Sequence, residues 1–167
     1  MTEKIALFPG SFDPFTLGHL NTVTRAAKMF DKVIVAIVTN TSKRPLFTAK
    51  EKKRLVAASI AHLDNVEVIL HEEGLTVHIA EKLGAEVLIR GIRNITDYEY
   101  EKNIAHMNAR LAPNIETLFL LADPAYANIS SSVIKEIAKF EGDVSPFVPQ
   151  SVNEALENKY RDRHIGC

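Results

Sequence analysis

Lys4-Ile5-Ala6-Leu7-Phe8-Pro9-Gly10-Ser11-Phe12-Asp13-Pro14-Phe15-Thr16-Leu17-Gly18-His19 is the stretch that sets the architecture. Lys4–Phe8 is short and apolar after its first residue, as a strand buried on both faces of a sheet should be. A Pro9-Gly10 turn is expected next, and then a helix that Thr16 can cap. That cap places Gly18 and His19 in the first helical turn, where unpaired amides and the helix dipole favour a phosphate. Gly18 has no β-carbon, so a ligand can approach the backbone. His19 adds an imidazole aimed at the same anion. A Gly-His pair alone would more often be a tolerated helix start. The Gly-Ser-Phe-Asp-Pro lead-in and the place after a first strand favour an anion site.

Working outward, further apolar runs lie at Val33–Val38, Val66–Leu70, Val87–Ile89 and Thr117–Leu121. Helical patterns separate them. Leu20, Val23, Ala27 and Phe30 recur at helical spacing, and Thr48 with Glu51 reads as a capping box. Leu75–Leu83 is short and amphipathic, Tyr98–Leu111 is long and polar-faced, and Val133, Ile134, Ile137 and Phe140 mark another helix. Five β-α units in series predict an α/β fold with a doubly wound, five-stranded parallel sheet, because parallel strands need crossover helices. No domain boundary is visible, so residues 1–167 are expected to form one domain, closed by a helix at about 150–162 carrying Val152, Leu156 and Tyr160.

Bulk composition narrows the function classes. The chain has 167 residues, 46% hydrophobic, with 20 basic and 21 acidic side chains and a formal charge of −1. A nucleic-acid groove needs a broad basic excess, so none is expected. Val33–Val38 is far shorter than a membrane span, and Met1–Phe8 is too short for a signal-peptide core. One cysteine, Cys167, suits a reducing compartment. A cytoplasmic protein is the expectation. His62, His71, His78, His106 and His164 show no metal-ligand spacing, so no protein-held metal is predicted.

A doubly wound sheet binds ligands beyond the carboxyl ends of its strands. Lys43-Arg44-Pro45 follows the second run and could hold a phosphate, although two loop cations are more often just solvated. The run Lys50, Lys52, Lys53, Arg54 reads as a solvated helix face. Arg90-Gly91-Ile92-Arg93 directly follows the fourth run, and guanidinium groups bind phosphate through paired bonds. The competing reading is a set of salt bridges to Asp97, Glu99 or Glu101. Asp97, Glu101 and Asn108 share one helical face, with Glu101 suited to ribose hydroxyls or to an arginine. After the fifth run, Tyr126-Ala127-Asn128-Ile129-Ser130-Ser131-Ser132 leads into a helix that carries Lys135 one turn in. One serine suffices for a cap, and the other two suggest phosphate donors.

This inventory holds phosphate binders but no Ser-His-Asp pattern, no Walker lysine loop and no GxGxxG turn. A phosphate-monoester acceptor needs no base, since its second pKa is about 6. It needs alignment with a nucleotide's α-phosphate and stabilisation of the transferring charge.

Gly-Ser-Phe-Asp-Pro with Thr16-Leu17-Gly18-His19 resembles the T/HxGH signature of the nucleotidyltransferase superfamily. Ile129-Ser130-Ser131-Ser132-Val133-Ile134-Lys135 resembles its serine-rich second motif. With Arg90-Gly91-Ile92-Arg93, Tyr98-Glu99-Tyr100-Glu101 and His106-Met107-Asn108, the resemblance narrows to the phosphopantetheine adenylyltransferases of bacterial coenzyme A synthesis. It spans nearly the whole chain. Thr16 stands where the wider superfamily often has His, and the phosphopantetheine adenylyltransferases also carry Thr there.

The resemblance implies that ATP and 4′-phosphopantetheine give dephospho-CoA and pyrophosphate by direct in-line attack. His19, Lys43 and Arg93 would be catalytic, His19 stabilising the α-phosphate. Ser11, Phe12, His19, Gly91, Ile92, Arg93, Glu101, Tyr126, Ala127, Asn128, Ile129, Ser130, Ser131 and Ser132 would bind ATP. Ser11, Lys43, Thr76, Arg90 and Asn108 would hold the acceptor. The resemblance also implies Mg²⁺ brought with ATP, a homohexamer, and feedback inhibition by coenzyme A. Three readings stay open: adenylyl transfer to nicotinamide mononucleotide, cytidylyl transfer, and a module that senses ATP without turnover.

Overall fold

The computed structural model describes residues 2–39, 44–71 and 74–164. Its elements run β1 (Ile5–Gly10), α1 (Leu17–Ala27), β2 (Lys32–Val38), α2 (Ala49–Ile60), β3 (Val66–His71), α3 (Thr76–Lys82), β4 (Val87–Ile92), α4 (Ile95–Leu111), β5 (Glu116–Leu121), α5 (Ser131–Lys139) and α6 (Gln150–His164). All pairings are parallel, in the order β3-β2-β1-β4-β5. The chain starts in the middle, winds outward to β3, then returns to β4 and winds the other way. The expected doubly wound five-stranded sheet is what forms.

Each face of the sheet has its own core. On one, Phe8, Val33, Val35, Ile37 and Ile89 pack with Val23 and Ala26 of α1, Leu55 and Val56 of α2, Ile134 of α5, and Val152, Leu156 and Tyr160 of α6. On the other, Leu7, Ile34, Ala36 and Leu88 pack with Val77, Ile79 and Ala80 of α3. Strand residues alternate between the two, as the two-residue period of a pleat requires.

Two strands run at least two residues beyond the carboxyl ends of their apolar runs. β1 continues through Pro9 and Gly10, which pair with Ala36 and Ile37 of β2, so the expected Pro-Gly turn does not form. β4 continues through Arg90, Gly91 and Ile92, paired with Phe119, Leu120 and Leu121. Proline is normally confined to sheet edges because it lacks the N–H. Here β1 and β4 pair only at Ala6–Val87 and Leu7–Leu88, so beyond Leu7 the two central strands part. Pro9 therefore sits where β1 has lost one neighbour. Its carbonyl accepts instead from the Arg90 guanidinium, at 3.0 Å. The parting of β1 and β4 opens the crevice at the point where the winding reverses, the ligand position of such sheets.

Helix starts follow local chemistry. Thr48 caps α2 in a capping box with Glu51, as its spacing predicts. The solvated-face reading of the α2 lysines fails at Lys52, which is only 3% exposed. The buried positions of α2 are Lys52, Leu55, Val56, Ser59 and Ile60, so Lys52 occupies the first place of the core-facing stripe.

Candidate active site

A cavity of about 350 Å³ fills the crevice between β1 and β4. Its wall is made by the ends of those strands, the first turn of α1, the first turns of α4, and the segment leading into α5. Of the residues singled out in the sequence, Phe12, His19, Arg90, Gly91, Arg93, Glu101, Tyr126, Ile129, Ser130, Ser131 and Ser132 line it. Ser11, Thr76, Asn108, Ala127 and Asn128 are not among its lining, and Ile92 is buried in the core. Lys43 lies outside the described residues.

His19 is built into its position by the start of α1. Thr16 is the N-cap, and His19 occupies the third helical position. The His19 backbone N–H donates to Thr16 Oγ1 at 3.3 Å, and the Thr16 backbone N–H donates to His19 Nδ1 at 3.0 Å. An imidazole thus plays the part usually taken by Glu or Gln in a capping box. Because Nδ1 accepts a hydrogen bond, it carries no proton, and the neutral ring must hold its proton on Nε2.

The rings of Phe12, Phe15 and Phe8 surround the imidazole at centroid distances of 5.1, 5.4 and 6.4 Å. Phe15 stacks on it and Phe12 meets it edge-on. This enclosure, reinforced by the positive charges of Arg93 and Arg90, lowers the His19 pKa from 6.5 to about 4. Part of the residue still meets the cavity, so His19 is a neutral donor facing the same crevice as the two guanidinium groups. Phe12 takes φ = 46° to deliver its ring, a conformation uncommon outside glycine. Gly10 is required by the same ring: a β-carbon there would lie 2.8 Å from Phe12 Cζ.

The opposite wall carries the fixed charge. Arg90 donates from Nε to Glu101 Oε2 at 2.7 Å and from a terminal nitrogen to Glu101 Oε1, while its other terminal nitrogen reaches Pro9. Arg93 forks onto Asp97 at 2.9 and 3.2 Å and donates to the Ile129 carbonyl at 3.2 Å. Both arginines therefore have the salt bridges that the competing reading described, to Glu101 and Asp97; Glu99 pairs with Lys102 instead. Guanidinium has five N–H donors, so each arginine keeps two for a ligand while its carboxylate holds it in place. Both Glu101 oxygens are taken by Arg90. Its first role is a clamp, and a ribose contact would have to share those oxygens. Asn94 caps the helix that carries this clamp: its Oδ1 accepts the Asp97 N–H at 2.9 Å, starting α4.

The third wall is the start of α5. Ser130 is the N-cap, accepting from the Val133 N–H at 3.2 Å, which leaves the first amides of the helix unpaired by that cap. Ser131 donates its hydroxyl to the Pro14 carbonyl at 2.8 Å, tying α5 to the loop before His19. Lys135 does not turn to the cavity. Its ammonium lies 3.3 Å from Asp13. Gly18 meets this wall from α1: a β-carbon there would sit 3.7 Å from Tyr126 Cβ.

Thr22 was missed by the sequence reading. It lies one turn after His19 on the same face, is 7% exposed, lines the cavity and donates to the Gly18 carbonyl at 3.1 Å. Its three-residue spacing from His19 was the available signal.

A neutral imidazole donor, two clamped guanidinium groups and a helix N-terminus converging on a crevice at the switch point are what a nucleotide's phosphates require. Residues 7–137 match the model of the cytidylyltransferase-like family. The fold is shared with a solved Vibrio parahaemolyticus chain assigned as a nicotinate-nucleotide adenylyltransferase (TM-score 0.74, 21% identity, 96% of this chain and 97% of that one). It is shared as well with a bifunctional NMN adenylyltransferase/ADP ribose pyrophosphatase from Francisella tularensis (TM-score 0.70, 15% identity, 96% of this chain and 52% of that one). The chain is thus a nucleotidyltransferase of the cytidylyltransferase-like class. Among curated relatives, the phosphopantetheine adenylyltransferase of Lacticaseibacillus paracasei is 55% identical, covering 98% of both chains. That of Latilactobacillus sakei is 52% identical over 96% of this chain and 98% of its own, and that of Lachnoclostridium phytofermentans 46% over the same shares. The chain belongs to the phosphopantetheine adenylyltransferase family.

Proposed function

We propose that the cavity joins ATP to 4′-phosphopantetheine, giving dephospho-CoA and pyrophosphate as coenzyme A is built. The observation that carries this reading is the bond from the Thr16 N–H to His19 Nδ1, which leaves a neutral ring its Nε2–H for a phosphoryl oxygen. An acceptor phosphate oxygen attacks the α-phosphorus, the bond to the β-phosphate oxygen breaks, and pyrophosphate leaves. The His19 Nε2–H donates to the α-phosphoryl oxygen as charge develops there, the task of an oxyanion-hole donor. Arg93 and the α5 N-terminus hold the nucleotide phosphates, with Tyr126, Ala127 and Asn128 also on the ATP side; Arg90, Lys43, Ser11, Thr76 and Asn108 serve the acceptor. No general base is needed, because the acceptor is already ionised.

Among the described residues no group of three or more His, Cys, Asp or Glu side chains could hold a metal. The two carboxylates of the cavity are both engaged by arginines. This suits Mg²⁺ bound chiefly by the ATP phosphates, where it would neutralise part of their charge. We also propose a homohexamer, inhibition by coenzyme A and a cytoplasmic location. The hexamer is supported by α4, of which only Glu101 is buried while Ile95, Tyr100, Met107 and Leu111 are 50–77% exposed. No helix among the described residues is long and apolar enough to cross a membrane.

The test is pyrophosphate release from ATP with 4′-phosphopantetheine, nicotinamide mononucleotide and glycerol 3-phosphate as acceptors. Release with the first alone is expected. Preference for either of the others would overturn the substrate assignment, and ATP binding without release would make the site a sensor.

A further inference from the structure

Asp13 lies in a segment with no regular structure that is nonetheless almost entirely buried: Phe12 is 3% exposed, Asp13 7%, Phe15 0% and Thr16 2%. Its carboxylate accepts the backbone N–H of Phe47 on Oδ1 and that of Leu46 on Oδ2, both at 2.9 Å. The Lys135 ammonium stands 3.3 Å from Oδ2. Buried Lys52 of α2 also feels this charge: desolvation lowers its pKa, and Asp13 opposes the shift. One carboxylate therefore gathers the β1–α1 loop, the β2–α2 connection and α5.

Two of those segments reach the cavity of the proposed reaction, while residues 44–47 are absent from its lining. The loop leads through Thr16 to His19, α5 opens with the serine run of the cavity wall, and residues 44–47 come from the loop assigned to the acceptor. Asp13 and Lys135 are absent from the cavity lining, so neither is placed to touch substrate. A second bond runs in parallel, from Ser131 to the Pro14 carbonyl beside Asp13. We propose that Asp13, with Lys135, is a positioning residue that couples nucleotide binding at the α5 N-terminus to the placement of residues 44–47. This rests on the adenylyl-transfer reading and deepens it. A buried carboxylate bonded to two amides and one ammonium is costly unless every bond is made, so the three segments are held as one unit.

Lys135→Met is the first test, because it keeps the Asp13 amide bonds and removes the ion pair. Its kcat is expected to fall at least about tenfold with the ATP KM within about twofold of the parent, and Lys135→Arg is expected to restore most of the rate. In parallel, ATP should slow amide hydrogen exchange at Leu46 and Phe47 in the parent and fail to do so in Lys135→Met. An ATP KM raised tenfold would make Lys135 a phosphate ligand and overturn the proposal. Parental kcat, KM values and exchange in a merely less thermostable Lys135→Met would reduce the ion pair to a structural one. Should the parent bind ATP without transferring it, the functional reading fails while the exchange measurement still decides the coupling.

Discussion

The two walls of the crevice handle charge in opposite ways. On the α1 side, three phenyl rings strip water from His19 and keep it neutral, and a backbone N–H selects its tautomer. On the α4 side, Arg90 and Arg93 stay charged and are each braced by a carboxylate of α4. The difference teaches a division of labour. Permanent cations can bind phosphates already negative in the ground state, whereas a neutral, precisely held donor responds to charge that appears only during transfer. The low pKa of His19 is partly a product of the other wall, since both arginines oppose its protonation.

The comparison breaks most readily at His19. His19→Ala is expected to fold and to lose at least about 10²-fold in kcat, the usual cost of a lost oxyanion donor; near-parental turnover in steady-state assays would remove it from the mechanism. A smaller split should separate the arginines. Arg90→Ala should raise the acceptor KM about tenfold with little change for ATP, and Arg93→Ala the reverse. Equal weakening of both substrates by both variants would mean the wall acts only as undirected positive charge.

Stability offers a third probe. Glu101→Gln leaves half-buried Arg90 without its counter-charge, and denaturant unfolding should register a loss of about 1–3 kcal/mol. Asp97→Asn, at a more exposed pair, should cost less than about 1 kcal/mol. The reverse order would show that burial does not rank these clamps.

The last probe uses pH. Above 6.5 His19 is neutral in both folded and unfolded chains and contributes nothing to pH dependence. Between 6.5 and about 4 the unfolded chain takes up a proton that the folded ring refuses, so stability falls as pH drops through that window. The loss is at most about 3 kcal/mol, and His19→Ala should flatten it in unfolding curves. Nitrogen NMR of the free enzyme at pH 6 should find the proton on Nε2. A ring that titrates near 6.5 would mean the phenyl enclosure is open to water.

Much of this was legible along the chain. Strand positions follow from apolar runs, the cap at Thr16 from a hydroxyl at an expected helix start, and the cap at Thr48 from a carboxylate three residues on. A serine cap before α5 and the arginine-bearing strand end were legible too, though not which of the three serines caps. Three features were not. The strand through Pro9-Gly10 is hidden because proline reads as a breaker unless one knows that β4 has already diverged. Burial of Lys52 is masked by its charged neighbours, and its counter-charge, Asp13, is 39 residues away in sequence. The choice of Glu101 for Arg90 and Asp97 for Arg93 depends on where α4 turns after β4, with Glu99 an equal candidate by spacing alone.

By itself the sequence determined the five-stranded alternation, the helix starts and the family, since each rests on periodicity or on residues close enough to bond locally. Only the tertiary structure decided which protonation state His19 holds, which carboxylate braces which arginine, and that Lys135 faces Asp13 and not the cavity. Those outcomes depend on desolvation and on distances between segments far apart in the chain, and neither quantity exists until the sheet has brought the segments together.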